Sequence, residues 1–128
     1  MGATPIYFFM THNQNIGKFG ETLAKNFLIK CGYKIIDANV KLSYQELDLV
    51  AEKDGRIIFV EVKTRLSQFY GPAENAMAQR KLERFRRGVE MYIFKNNLDI
   101  DEIRADLITV DIDQLKQTAK AKHYQDVI

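Results

Sequence analysis

A chain of 128 residues makes one ordinary domain, with no room for a second independent core. Its 46% hydrophobic and 28% charged residues are the balance of a globular protein and argue against disorder as the default state. A net charge of +2 permits nucleic-acid binding without demanding it, no apolar run reaches the roughly 20 residues of a membrane span, and the single Cys31 excludes both an internal disulfide and a multi-cysteine zinc site.

A reduced, cytoplasmic setting with no membrane partner fits this composition best. Residues 1–15 read as a flexible leader. Pro5-Ile6-Tyr7-Phe8-Phe9-Met10 is apolar, but no Lys or Arg precedes it and polar residues follow, which is a poor match to a signal peptide. Residues 16–128 read as a single domain. Over 17–31, Phe19, Leu23, Ala24, Phe27, Leu28 and Cys31 recur at helical spacing, and Gly32 supplies the stop. This spacing puts Cys31 on the core stripe. Strands are expected over 33–40, 45–52 and 56–64. Asp54-Gly55 is a hairpin signal and makes the last two antiparallel neighbours. Gly71-Pro72 breaks the chain. A second helix is expected over 76–95, with Leu82, Phe85, Val89 and Tyr92 or Ile93 inward. A last strand is expected over 104–110. The tail, 111–128, is polar with scattered apolar residues and reads as a short helix or a partly disordered segment. His12 and His123 lie in polar end segments and read as solvated. Helix, three strands, helix, strand is an α/β domain with a mixed sheet.

The third strand carries the first chemistry. Period two puts Ile57, Phe59, Glu61 and Lys63 on one side and Ile58, Val60 and Val62 on the other. The strand is apolar on both faces up to Glu61, the pattern of a central strand. A carboxylate and an ammonium at its end are either paired with each other or used. On the second strand Glu46 and Asp48 share a face, with Leu47 and Leu49 on the other. Counting back from the Asp54-Gly55 turn places Asp48 roughly opposite Glu61. Two carboxylates that close repel unless one is protonated or a cation lies between them. Mg²⁺ takes one or two carboxylates plus waters and phosphates, so a hard divalent cation is the natural occupant. Lys63 would then stand beside the attacking water and a phosphodiester. The competing reading is a structural ion-pair network of Asp48, Glu61 and Lys63. Glu21 stands at the edge of the first helix's apolar stripe. It is either a surface acid near a helix N-terminus or a third acid reaching the same end of the sheet.

Basic residues crowd the second helix. Arg80, Arg84 and Arg87 fall on one face at i, i+4 and i+7, with Lys81 alongside. Such a face neutralises phosphates without reading sequence, or it is a solvated face paired locally with Glu83 and Glu90. Thr64 and Arg65 follow directly on Lys63 and are placed to touch the scissile region.

Asp48, twelve residues, then Glu61-Val62-Lys63 resembles the PD-(D/E)xK signature of restriction-endonuclease-like nucleases. A longer run is more specific. Gly17-Lys18-Phe19-Gly20-Glu21-Thr22-Leu23-Ala24, Gly32-Tyr33, Glu46-Leu47-Asp48-Leu49-Val50-Ala51 and Phe59-Val60-Glu61-Val62-Lys63-Thr64-Arg65 are similar to the YraN-type family. Gly71, Lys81, Arg104-Ala105-Asp106 and His123-Tyr124 extend that resemblance over roughly residues 16–126. It implies an α/β fold with a restriction-endonuclease-like core, a mixed central sheet flanked by helices, similar to archaeal Holliday-junction resolvases. It implies Glu21, Asp48 and Glu61 as catalytic acids, Lys63 as the catalytic lysine and Glu46 as a supporting acid. Asp48, Glu61 and the Val62 carbonyl would hold Mg²⁺ or Mn²⁺. The activity expected is metal-dependent endonucleolytic hydrolysis of phosphodiesters in DNA. Branched or structured DNA follows only through the resolvase likeness. The alternative is a non-catalytic nucleic-acid-binding or partner-recruiting module on the same fold. Gln45 stands where the family has a glycine before Glu46, a departure that removes no acid. Symmetric cutting of a junction needs two active sites, hence a homodimer.

Overall fold

The computed structural model describes residues 4–5, 16–66, 78–101 and 103–128. The expected break at Gly71-Pro72 and most of the expected leader lie outside them. The elements are β1 (Thr4–Pro5), α1 (Ile16–Lys30), β2 (Lys34–Leu42), β3 (Gln45–Lys53), β4 (Arg56–Leu66), α2 (Gln79–Lys95), β5 (Arg104–Asp113) and β6 (Thr118–Tyr124).

α1 buries Phe19, Ala24 and Leu28 on the face that its spacing requires. It ends at Lys30, where Tyr33 N–H donates to Leu28 O at 2.9 Å and Gly32 takes a φ of +91°. Cys31 therefore lies past the helix and is exposed, which corrects its expected place in the core. Its carbonyl accepts Lys53 Nζ at 2.9 Å.

The strands form one sheet in the order β1-β6-β5-β4-β3-β2. β2, β3 and β4 make an antiparallel meander. Asp54 and Gly55 take φ of +52° and +77° between β3 and β4, the two left-handed residues that a type I′ hairpin turn demands. β5 lies parallel to β4, and a parallel neighbour requires a crossover. α2 lies in that connection. Two cores result, one on each face of the sheet. Leu28 of α1 packs with Leu49, Ala51, Ile58, Val60, Ile108 and Val110. Phe85, Val89 and Tyr92 of α2 pack with Leu47, Val50 and Phe59. β4 and β5 feed both cores, as central strands must. This is the α/β arrangement that the residues implied, a mixed central sheet flanked by helices.

The tail departs from expectation. Residues 111–128 are neither helical nor loose: β5 runs on to Asp113, and β6 returns antiparallel along it. Ala119 and Ala121 are buried while Lys120 and Lys122 are exposed, a period-two alternation that fits a half-buried strand. The outer edge of β6 is covered by Thr4–Pro5, so part of the expected leader joins the sheet.

α1 sits close on β4. A Cβ added at Gly20 would overlap Thr64 Oγ1. Ala in a helix is otherwise favoured over Gly by up to about 1 kcal/mol. Here the overlap decides, and Gly20→Ala is expected to destabilise by about 1–3 kcal/mol in urea unfolding. Adding Thr64→Ala should return part of that loss, because it removes the overlapping hydroxyl. A Gly20→Ala protein as stable as the parent would mean that α1 lifts off without penalty.

Candidate active site

The ladder between β3 and β4 runs from Lys53 opposite Arg56 to Leu49 opposite Val60. The next pair in register is Asp48 and Glu61. There Asp48 turns its carboxylate to β4, and Oδ2 accepts the Val62 N–H at 2.8 Å. A side chain takes the place of a ladder bond, and the alternation of β3 breaks. Leu49 and Ala51 pack with α1, but Leu47 packs with α2. The expectation that Leu47 and Leu49 share a face is corrected by this irregularity.

Asp48 and Glu61 meet at the opening and share a hydrogen bond. Burial first, then that bond and the charge of Asp48, push the Glu61 carboxyl up to about 9. Glu21 arrives from α1 and Glu46 from β3. One carboxylate oxygen from each and one from Asp48 lie within 4.8 Å of one another. Burial and the nearby Asp48 charge raise the Glu21 carboxyl above the usual range.

Asn39 was not among the residues to which the sequence pointed. It stands in β2 with φ of +51°. With its amide nitrogen turned to Glu21, it donates to Oε2 at 2.8 Å and Oε1 at 3.2 Å. That orientation is assigned from the partner, because a carboxylate can only accept. The sequence signal is slight: Asn is among the few residues that tolerate a left-handed backbone.

Lys63 lies two residues beyond Glu61. The Lys81 ammonium beside it, and then burial, hold the Lys63 amine below the usual lysine range. α2 divides its basic residues. Arg80, Arg84 and Arg87 are exposed on its outer face. Lys81 is half-buried, one turn before the buried Phe85, and reaches Glu61 and Lys63. Thr64 and Arg65 have other occupations. The Thr64 hydroxyl lies against the Gly20 backbone. Arg65 makes a bidentate pair with Asp111, Nε to Oδ1 at 2.8 Å and Nη2 to Oδ2 at 3.0 Å. Both side chains are 9% exposed, which commits that guanidinium to the sheet rather than to solvent.

A second polar cluster lies earlier on β5, around Asp106, which is fully buried. Its Oδ1 accepts Arg104 Nε at 3.1 Å and the Asp126 N–H at 2.9 Å. Its Oδ2 accepts Arg104 Nη2 at 2.8 Å and His123 Nε2 at 2.7 Å. Arg104 Nη2 also donates to the Tyr33 hydroxyl at 2.8 Å. The His123 ring meets Phe27 and Tyr33 edge-on, with centroids 6.1 and 5.9 Å apart. His123 is therefore a packed, hydrogen-bonded residue, which corrects its reading as solvated. Its partner stands 17 residues away in the chain, across a hairpin that the sequence did not announce.

Among the described residues no helix is long and apolar enough to cross a membrane. Comparison with known proteins places this chain in a family. A UPF0102 protein of Syntrophomonas wolfei is 39% identical over 81% of this chain and 90% of its own length. One from Flavobacterium psychrophilum is 35% identical over 91% of this chain and 96% of its own. One from Shewanella sediminis is 42% identical over 78% and 85%. A solved structure of an fdxN element excision controlling factor protein from Anabaena variabilis is similar over 84% of this chain and 98% of that one, at 16% identity and a TM-score of 0.41. The model of an uncharacterised protein family matches residues 20–110, a span that holds Glu21, Glu46, Asp48, Glu61 and Lys63. On that match and these relatives, the chain belongs to the uncharacterised protein family UPF0102, the YraN family that its motifs resemble.

Proposed function

We propose that this protein is a metal-dependent endonuclease that hydrolyses phosphodiester bonds in DNA. One observation carries the reading: the Asp48 and Glu61 carboxyls meet beside Lys63, where the β3–β4 ladder ends. A structure in need only of stability has little use for two half-buried carboxylates in contact.

The donor set fits Mg²⁺ or Mn²⁺. Asp48, Glu61, Glu21 and Glu46 offer hard oxygens alone, and the proton on Glu61 is the charge that a divalent cation would replace. Asp48 and Glu61, with the Val62 carbonyl, would hold it, and Glu21 and Glu46 would support it from the α1 side. Once bound, the ion supplies positive charge to the phosphate and the leaving oxygen. Asn39 orients Glu21. Lys63 orients the attacking water, whose proton passes to solvent. The water oxygen bonds to phosphorus as the opposite P–O bond breaks, and the departing oxygen takes a proton from solvent. Arg80, Arg84 and Arg87 supply contacts to phosphates further along the strand, without reading base sequence. Branched DNA would need two such sites, hence a homodimer.

A cleavage panel tests the proposal. It holds four-way junction, flap, single-stranded, duplex and RNA substrates, each with Mg²⁺, Mn²⁺ or EDTA. Cleavage is expected with metal, absent in EDTA, and reduced by about 10²–10⁴-fold in both Glu61→Ala and Lys63→Ala. No cut on any substrate, with metal-free binding unchanged in both variants, would favour the non-catalytic binding module. Cleavage that persists in Glu61→Ala would sink the site.

A further inference from the structure

We propose that Lys63 and Lys81 form a two-pronged phosphate clamp, which holds the scissile phosphodiester by its two non-bridging oxygens. The identity of the anion rests on the nuclease reading above. The clamp itself rests on where α2 places Lys81.

The buried stripe of α2 runs through Phe85, Gly88, Val89 and Tyr92. Position 81 lies four residues before Phe85 and eight before Val89, on the same side of the helix. The stripe calls for an apolar residue there, and a lysine stands in its place. Below it, β4 presents Phe59 to the α2 core and then, at period two, Glu61 and Lys63. Lys81 thus reaches past the edge of the core and stands beside Lys63, with Glu61 also in its field. Arg80, Arg84 and Arg87 point outward and take no part.

Two ammonium groups in contact repel, more strongly where water is partly excluded. Among the described residues, Glu61 is the acid that offsets Lys63. That carboxyl is shared with Asp48, and in the proposed reaction it also serves the cation. Glu21, Glu46 and Asp48 cluster with one another, and one shared carboxyl cannot neutralise two lysines. The pair is left short of negative charge, in a spot that faces the attacking water. The missing partner is an anion with two acceptor oxygens on one centre, and a phosphodiester has that form. Thr109 lies beside Lys63 on β5 and is fully buried. Its hydroxyl has no hydrogen-bond partner among the described residues.

The test uses the whole chain in EDTA and a dinucleotide that carries a single phosphodiester. Lysine ε-methylene NMR signals are followed during titration, with Lys63→Arg and Lys81→Arg supplying the assignments. The Lys63 and Lys81 signals should move together along one binding curve. Lys81→Ala should weaken that curve by about tenfold or more, and Lys81→Arg by no more than about threefold. Lys30→Ala, at the exposed end of α1, should leave it unchanged. Thermal unfolding of each variant reports the fold separately, and Lys81→Gln replaces Lys81→Ala if the latter melts. Fixed Lys63 and Lys81 signals, or a Lys81→Ala curve equal to the parent's, overturn the clamp. Neither result depends on cleavage, so a silent cleavage panel beside an intact clamp would remove the nuclease reading alone.

Discussion

Asp106→Asn is expected to destabilise the protein by about 3–5 kcal/mol, the usual cost of breaking a buried, fully hydrogen-bonded ion pair from one side. The carboxylate is fully buried and accepts from Arg104 twice, from His123 and from the Asp126 N–H. These donors come from β5, β6 and the chain beyond β6. Through Arg104 the network also reaches Tyr33, at the start of β2. An asparagine keeps one acceptor and turns an NH₂ on Arg104, which has no acceptor to offer in return. The tail should then loosen, because the Asp126 bond stands next to the Val127 N–H to Ala105 O bond of 2.7 Å. For a domain of this size the loss corresponds to a melting temperature lower by roughly 10–20 °C. Urea unfolding measures it, and a loss under about 1 kcal/mol would mean that the cluster is ornamental.

The same cluster sets an acid limit. Burial pushes the Asp106 carboxyl up, but the hydrogen bonds from His123, Arg104 and the Asp126 amide together hold it below its ordinary value of 3.8. A depressed carboxyl stabilises the fold above the unfolded value and loses that contribution as pH falls through the folded one. The parent protein should therefore lose an increment of stability below about pH 4, and Asp106→Asn should lack that increment.

Legibility followed the range of the forces. The Asp54-Gly55 turn could be read because its left-handed backbone is a local demand. It fixed the register, and the register placed Asp48 by Glu61. Glu61 and Lys63 stood out because polar residues end an otherwise apolar central strand. What failed was longer in range or finer in geometry. Cys31 fits the helical spacing, but the helix stops one residue before it. Leu47 and Leu49 fit period two, but Asp48 spends its carboxylate on β4 and shifts the strand between them. Lys81 and Arg84 look like neighbours on a helical wheel, yet one lies over the site and the other in solvent. β6 was written in the alternation of Ala119, Lys120, Ala121 and Lys122, but two small residues are a weak apolar signal. Asp106 and His123 show nothing in isolation, because each takes its meaning from the other. Asn39 depends on a backbone angle that composition does not encode.

Glu61→Gln should abolish cleavage and, in the absence of metal, make the protein more stable by about 1–3 kcal/mol near pH 8. The two effects have one cause. Burial and Asp48 push the Glu61 carboxyl from 4.5 up to about 9. Between those values the folded chain keeps a proton that the unfolded chain releases. Stability must therefore fall as pH rises through that window, with a slope of up to about 1.4 kcal/mol per pH unit. Glutamine is neutral in both states, fills nearly the same volume and can still donate to Asp48, so the variant should lack this slope. Mg²⁺ should restore the parent at high pH, because binding to the folded state alone stabilises it by mass action. The same ion should do little for Glu61→Gln, which has lost an anionic ligand. Urea unfolding from pH 6 to pH 9, in EDTA and in Mg²⁺, separates these terms. A parent whose stability is flat across that range, or a variant weaker than the parent in EDTA, would show that Glu61 is a structural ion-pair partner and not a carboxyl held in readiness for a cation.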